Sequence, residues 1–284
     1  MRGTRQEGLA LITVLLVMAL MVMLIAAMLR DHRLLIASVS GQTEASRGLQ
    51  VLMAAERQAL ALLRERLRLD MRVVQAGQSW SKPFEFTLGD VRLRGRVEDL
   101  AARINLAALV RSSEPDPVLL ARWERLCRAL GLVTPDLAML RGVPLVDVSQ
   151  LAQLPDVSAE ILERLRPWVA VLPAQAGLNI NTADRFVLGT LEGVTPAIAQ
   201  RLVEQRPKDG YASVQAFLGD PLLDGQVATG RGLAVGSRWF GMTLQADFET
   251  SRSYLHSEVE VDLDGHRMRV SRRMFSMVRP AGAE

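Results

Sequence analysis

The chain has 284 residues, room for a membrane helix and one or two compact domains with a sizeable core. Its 34 Lys and Arg against 31 Asp and Glu leave a net charge of +3 with no polybasic tail, a balance that does not suggest a nucleic-acid binder. The single cysteine, Cys127, excludes an intrachain disulfide and, lying in an apolar helical pattern, reads as a buried thiol.

The first predicted element is apolar. Leu9 to Leu29 is 21 residues without a formal charge, behind Gly8 and a short leader that holds Arg2 and Arg5. As a helix it is about 30 Å long, the thickness of a bilayer's hydrocarbon core. A cleavable secretory signal has a shorter core and a small-x-small site, whereas this run ends Leu24-Ile25-Ala26-Ala27-Met28-Leu29. An ordinary single-pass anchor and a processed anchor of the type IV pilin kind remain. The charged flanks, with Arg30, Asp31, His32 and Arg33 after the run, leave the orientation close to a tie.

The junction Arg5-Gln6-Glu7-Gly8-Leu9-Ala10-Leu11-Ile12-Thr13-Val14 resembles a prepilin peptidase site. That resemblance implies cleavage between Gly8 and Leu9, N-methylation of Leu9, a cytoplasmic N-terminus and a periplasmic Arg30 to Glu284. Pilin-like proteins usually carry Glu at the fifth mature position, where this chain has Thr13. Among the pseudopilins of type II secretion, the K-type minor subunit is the one that typically lacks it.

Apolar residues then recur at Leu49, Leu52, Leu60, Leu63, Leu67 and Met71, mostly three or four apart, and no proline precedes Pro83. One helix of up to about 65 residues is expected, bending at Gly41 or Gly48, with its leucine stripe on the domain's own sheet. Phe84 to Leu88 and Val91 to Val97 alternate on either side of Gly89-Asp90, a hairpin signal. Asp99 to Leu109 predicts a loop with a short helix. Its run Arg103-Ile104-Asn105-Leu106 resembles the strand exit of K-type subunits.

Between Asp116 and Leu222 the pattern is helical, with helices expected at Pro117–Leu130, Pro135–Arg141, Ser149–Ala152, Ser158–Val169, Thr182–Leu191, Pro196–Gln205 and Ser213–Leu218. Asp116, Thr134 and Thr195 each precede a proline as N-cap candidates. Asn179-Ile180-Asn181-Thr182-Ala183, followed by Ala199 to Pro207, resembles the helical domain of K-type subunits and also the helix-hairpin-helix modules of DNA-binding and competence proteins. In the DNA-binding form a Gly-x-Gly hairpin offers backbone N–H groups to phosphate. Here Gly193 is kept, Thr195 takes the second position, and the earlier turn Pro155-Asp156-Val157-Ser158 has no glycine. Glu192 and Glu204 offset Arg201 and Arg206, which favours packing or protein contact over DNA. Asn181 and Thr182 read as helix caps.

From Leu233 the pattern returns to strands: one through Trp239, Met242, Leu244 and Phe248, one over Tyr254–Leu263, and one over Arg267–Val278 after an Asp264-Gly265 turn. Strands on both sides of a helical block make the block an insertion. The expected fold is α+β: a pilin-like long N-terminal helix packed on an antiparallel sheet, with a large all-α insertion of the SAM-like or helix-hairpin-helix-like kind. The expected divisions are a leader at 1–8, a transmembrane part at 9–29, a periplasmic helix at 30–76, the first part of the sheet domain at 77–109, the insert at 110–232 and the last strands at 233–284.

No nucleophile–base constellation, Cys-x-x-Cys pair or P-loop occurs, and His32, His256 and His266 read as structural, so neither enzyme activity nor a cofactor is expected. The K-type resemblance implies calcium in the insert. Asp209, Asp220 and Asp224, with Asp116 and Asp136 elsewhere, do not form an EF-hand pattern, and no metal site is assigned; Asp220 with Asp224 is the favoured pair if one exists. On these residues the chain is identified as a member of the K-type minor pseudopilin family of the type II secretion system. This implies a tip subunit of an inner-membrane, periplasmic pseudopilus that promotes export of folded proteins. Its implied partners are the I and J minor pseudopilins, the prepilin peptidase and the inner-membrane platform. The alternative is a membrane-anchored helix-hairpin-helix DNA-binding protein of a competence or uptake system.

Overall fold

A computed structural model describes residues 4–67, 73–111, 114–248, 251–262 and 267–278, with the backbone alone at 4–12 and 31–41. Helix α1, Thr4–Leu67, runs without a break through Gly41 and Gly48, as its Leu, Ala, Met and Arg content favours. The chain forms two units, one up to Val51 and one from Leu52.

In the second unit α1 buries Leu52, Ala55, Glu56, Ala59, Leu63 and Leu67, one face at three- and four-residue spacing. The expected leucine stripe holds at 52, 63 and 67. Leu49 is instead 39% exposed and Leu60 half-buried, because alanines 55 and 59 occupy the buried face. Met71 lies outside the described residues.

Five antiparallel strands form the sheet, in the order β1-β2-β7-β8-β9. β1, Phe84–Leu88, and β2, Val91–Asp99, meet at the expected two-residue turn, with Leu88 opposite Val91 and Gly89 at φ 62°, where a side chain would be strained. β2 buries Val91, Leu93 and Val97 and leaves Arg92, Arg94 and Arg96 outside. β7, Trp239–Asp247, lies beside β2 with Phe240 opposite Asp99, so the sheet closes across the insertion. β8, Arg252–Val261, and β9, Met268–Val278, complete it, with a bulge in their register between Glu258 and Val259. The predicted Asp264-Gly265 turn lies outside the described residues.

The insert contains α2, Leu106–Val110; α3, Pro117–Ala129; α4, Ala159–Leu165; α5, Arg185–Leu188; α6, Pro196–Glu204; and α7, Val214–Leu218. Asp116, Ser158, Thr195 and Ser213 cap their helices with side-chain oxygens. Two expected α-helices are 3-10 turns instead, Leu137–Leu140 and Val148–Gln153. The second is set by a capping box of Asp147 and Gln150. The helix expected over Thr182–Leu191 starts only at Arg185, since Asp184 is its cap, and the one expected over Ser158–Val169 stops at Leu165, before Pro167. Trp123, Leu126, Leu151, Leu165, Ile180, Leu188 and Phe217 centre one core, which also takes in Ile104, Leu106, Leu109 and Val110, ahead of the boundary expected at 110. Two parallel bridges complete the insert: β3, Ile104–Asn105, with β4, Val169–Ala170, and β5, Leu178–Asn179, with β6, Leu233–Ala234.

Candidate functional site: the anchor helix and the joint of the insert

Within α1, Thr13–Arg30 is apolar enough to cross a membrane, with a mean hydropathy of 2.4 and no residue buried. Uncovered residues such as Leu16, Met23 and Leu24 call for lipid or other helices around them. Thr13 stands exposed at the start of this span, and Gly8 and Leu9 are helical one to two turns before it.

The Asn179-Ile180-Asn181-Thr182-Ala183 motif lies where the chain enters and leaves the insert. Asn179, fully buried on β5, donates from Nδ2 to Asp99 Oδ2 at 2.8 Å and to the Val74 carbonyl at 2.9 Å, and accepts the Asn181 N–H at 3.1 Å. Asn181 donates to the carbonyls of Tyr211 and Val235, at 3.0 and 3.2 Å, and accepts the Tyr211 N–H at 2.7 Å. The Thr182 hydroxyl donates to Asp99 Oδ2 at 2.6 Å, and the Ala183 carbonyl accepts from Arg206. The predicted capping role of Asn181 and Thr182 is therefore corrected: Asp184 caps α5, and these side chains bind segments far away in sequence.

Asp99, at the end of β2, completes the knot by accepting the Ala101 N–H at 2.8 Å. Burial pushes its carboxyl above the usual range, against the pull of Ser237, Thr182, Asn179 and Ala101. Asn105 forms a second joint: its Oδ1 accepts the N–H groups of Ala107 and Leu172, both at 3.1 Å, and its Nδ2 donates to the carbonyls of Pro173 and Ala176. Asp99 and the Asn179 motif stand out separately in the sequence, and nothing in their spacing predicts that they meet.

The hairpin before α6 does not offer itself to phosphate. Gly193 has φ 75°, and a Cβ there would stand 2.7 Å from Gln226 Oε1 and 3.2 Å from the Val227 nitrogen, so the returning chain covers the turn. Thr195 donates no open site either, since its hydroxyl caps α6 through the Ile198 N–H. Beside the turn, Glu192 binds Arg122 through both oxygens, at 3.0 and 2.9 Å, and Arg125 at 3.3 Å. Burial alone would raise the Glu192 carboxyl, but the Arg122 pairing holds it below the usual range. An ionised acid against a covered hairpin repels a nucleic-acid backbone, and nothing in this geometry supports the DNA-binding alternative.

The remaining candidates have local roles. Asp220 accepts the Leu222 N–H and the Tyr211 hydroxyl, and Asp224 follows the 3-10 turn Pro221–Leu223. Asp116 caps α3 and pairs with Arg231, Asp136 caps a 3-10 turn, and Asp209 is exposed. Among the described residues no three His, Cys, Asp or Glu side chains converge as metal ligands, so these acids do not make a donor set that fits calcium. Cys127 is fully buried, and burial pushes its thiol up to about 12. Thr243 Oγ1 lies 3.0 Å from His256 Nδ1. His32 and His266 lie outside the described side chains.

The family model described as "Type II secretion system (T2SS), protein K" matches residues 178–235, a stretch that begins with β5 and the Asn179 motif and ends just past β6. The type II secretion system protein K of Pseudomonas aeruginosa is 29% identical over 312 residues, covering 94% of this chain and 92% of its own length. That of Pectobacterium carotovorum is 26% identical over 321 residues, covering 96% and 97%. A chain in the crystal structure of the GspK-GspI-GspJ complex from the enterotoxigenic Escherichia coli type 2 secretion system has the same fold, with a TM-score of 0.69 at 23% identity over 84% of this chain and 99% of that one. Relatives named type II secretion system protein K thus align with this chain along almost its full length, and the protein K family model matches it at the joint of the insert.

Proposed function

We propose that the chain is the minor pseudopilin at the tip of the type II secretion pseudopilus, a structural subunit that supports filament assembly and the export of folded proteins across the outer membrane. The observation that carries this reading is the bare apolar span Thr13–Arg30 in a chain whose antiparallel sheet is interrupted by a protein K insert. In this reading the anchor crosses the inner membrane once, with the N-terminus in the cytoplasm and the insert in the periplasm. Prepilin peptidase cuts between Gly8 and Leu9 and the new amine of Leu9 is methylated. The partners are the I- and J-type minor pseudopilins and the inner-membrane platform, as the similar chain's GspK-GspI-GspJ complex supports. Thr13 suits a tip position, because an uncharged residue in lipid needs no amine from a neighbouring subunit.

Mass spectrometry of the mature N-terminus, with co-purification from native membranes, tests the reading. An N-methylated Leu9 and recovery of the I and J subunits are expected. An intact Met1, or a cut near Ala27, overturns it.

A further inference from the structure

β9 is the end strand of the sheet. Ten of its eleven residues pair with β8 on one side, Ser271 being the extra residue at the bulge, and among the described residues no backbone hydrogen bond reaches the other side. An open row of N–H and C=O groups of this length is a template for a further strand. β1, the opposite edge, has only five residues.

The two faces of β9 differ in chemistry. Arg267, Arg269 and Arg272 lie on the outer face, and Arg267 to Val278 holds four arginines and no acid. Arg272 is paired within the protein with Asp147 and Glu258, and Arg269 with Glu260 at 2.6 Å, but Arg269 keeps 76% of its side chain exposed and Arg267 is exposed too, so both stay within reach of an added strand. On the α1 face Met268, Val270, Phe275 and Met277 are only half-buried, opposite the buried Val261, Val259, Leu255 and Ser253 of β8. A strand laid along the edge would cover these four and place its other side chains among the outer arginines.

We infer that the free edge of β9 receives an extended segment of another protein in which apolar and acidic residues alternate. The backbone ladder supplies the binding. The apolar residues cover the half-buried side of β9, and the acids meet Arg267 and Arg269. A second copy of β9 is the wrong occupant, because the four arginines of Arg267 to Val278 come with no acid to meet those already on the edge.

The probe is a fluorescein-labelled peptide of alternating Val and Glu, titrated by anisotropy against the full chain in detergent micelles, with a Val and Lys twin as control. The acidic peptide is expected to bind at least about tenfold more tightly than its twin, several cross-strand charge pairs each contributing a fraction of that factor. It is also expected to slow hydrogen exchange of the β9 amides. Replacing Arg267→Gln together with Arg269→Gln should remove most of the preference while circular dichroism stays unchanged, both side chains being exposed, and Arg269→Lys should keep it. Equal binding of the twins overturns the proposal. So does acidic binding that leaves β9 exchange unaltered, or β9 protection that grows with protein concentration in the absence of peptide, which would point to a second copy.

Discussion

Asn179 donates to Asp99 across 2.8 Å, tying the motif of the insert to the end of the second strand 80 residues earlier. Both residues are buried, and every donor that Asp99 loses leaves its carboxyl less compensated. Asn179→Ala is therefore expected to lower stability by about 1–3 kcal/mol, the penalty for a buried group deprived of its partner. Asn179→Asp should cost more than Asn179→Ala, since it sets a second carboxylate against Asp99. Thermal denaturation of the full chain in detergent, followed by circular dichroism, gives the order, and the reverse order would show that the joint is not held through this pair.

Arg273 and Glu56 tie the last strand to α1 in a similar way. Arg273 Nε lies 2.9 Å from both Glu56 oxygens, and the Ser257 hydroxyl donates to Oε1 at 2.5 Å. The neighbouring Arg272 faces the other side of the sheet and pairs with Asp147 of the insert, so two adjacent arginines hold β9 to both of its layers. Glu56 is buried and Arg273 is 42% exposed. Arg273→Ala strands a buried charge and is expected to cost about 3 kcal/mol. Glu56→Gln should cost less, because the exposed guanidinium can turn to water. Urea denaturation of the two variants should reveal that asymmetry.

His256 gives a pH dependence of definite sign. Burial lowers the pKa of its imidazole, so below the ordinary histidine range of about 6.5 the unfolded chain takes up a proton that the folded chain refuses. The contribution of this group is complete above that value and is lost as pH falls through the folded pKa. Asp99 and Glu258 run the other way, since burial raises both carboxyls and their contribution is lost as pH rises. The comparison that isolates His256 is with His256→Gln. The melting temperature of the parent should fall relative to the variant as the pH is taken from about 7.5 to about 5.5. A constant difference would mean that the imidazole titrates alike in both states.

The anchor, the first hairpin, the helical insertion and the last three strands are legible in the sequence because each has a local signature: an uncharged run, a Gly-Asp turn between alternating segments, capped prolines, alternation again. The joint is not. Asp99, Asn179, Asn181 and Tyr211 meet through side-chain hydrogen bonds over long separations, and strands of two residues such as Leu178–Asn179 are too short to show a period. Asn181 and Thr182 look like caps because a helix soon follows, yet Asp184 is nearer to it. The α1 face misled for a different reason: a leucine count overlooks Ala55 and Ala59, which are buried by their position opposite the sheet and not by their size.

Gly193 separates two costs that a single substitution would blur. Its φ of 75° penalises any side chain by about 1–2 kcal/mol, and a Cβ would also meet Gln226 Oε1 at 2.7 Å. The second contact is with the end of a flexible side chain, so it can be relieved, whereas the backbone cost cannot. Gly193→Ala should therefore destabilise the full chain, and adding Gln226→Ala should recover part of the loss but never all of it. Complete recovery would show that the backbone tolerates a side chain at this turn. No recovery would show that the contacts left behind, the Cβ of residue 226 and the Val227 nitrogen, both 3.2 Å from the same Cβ position, are what close the hairpin.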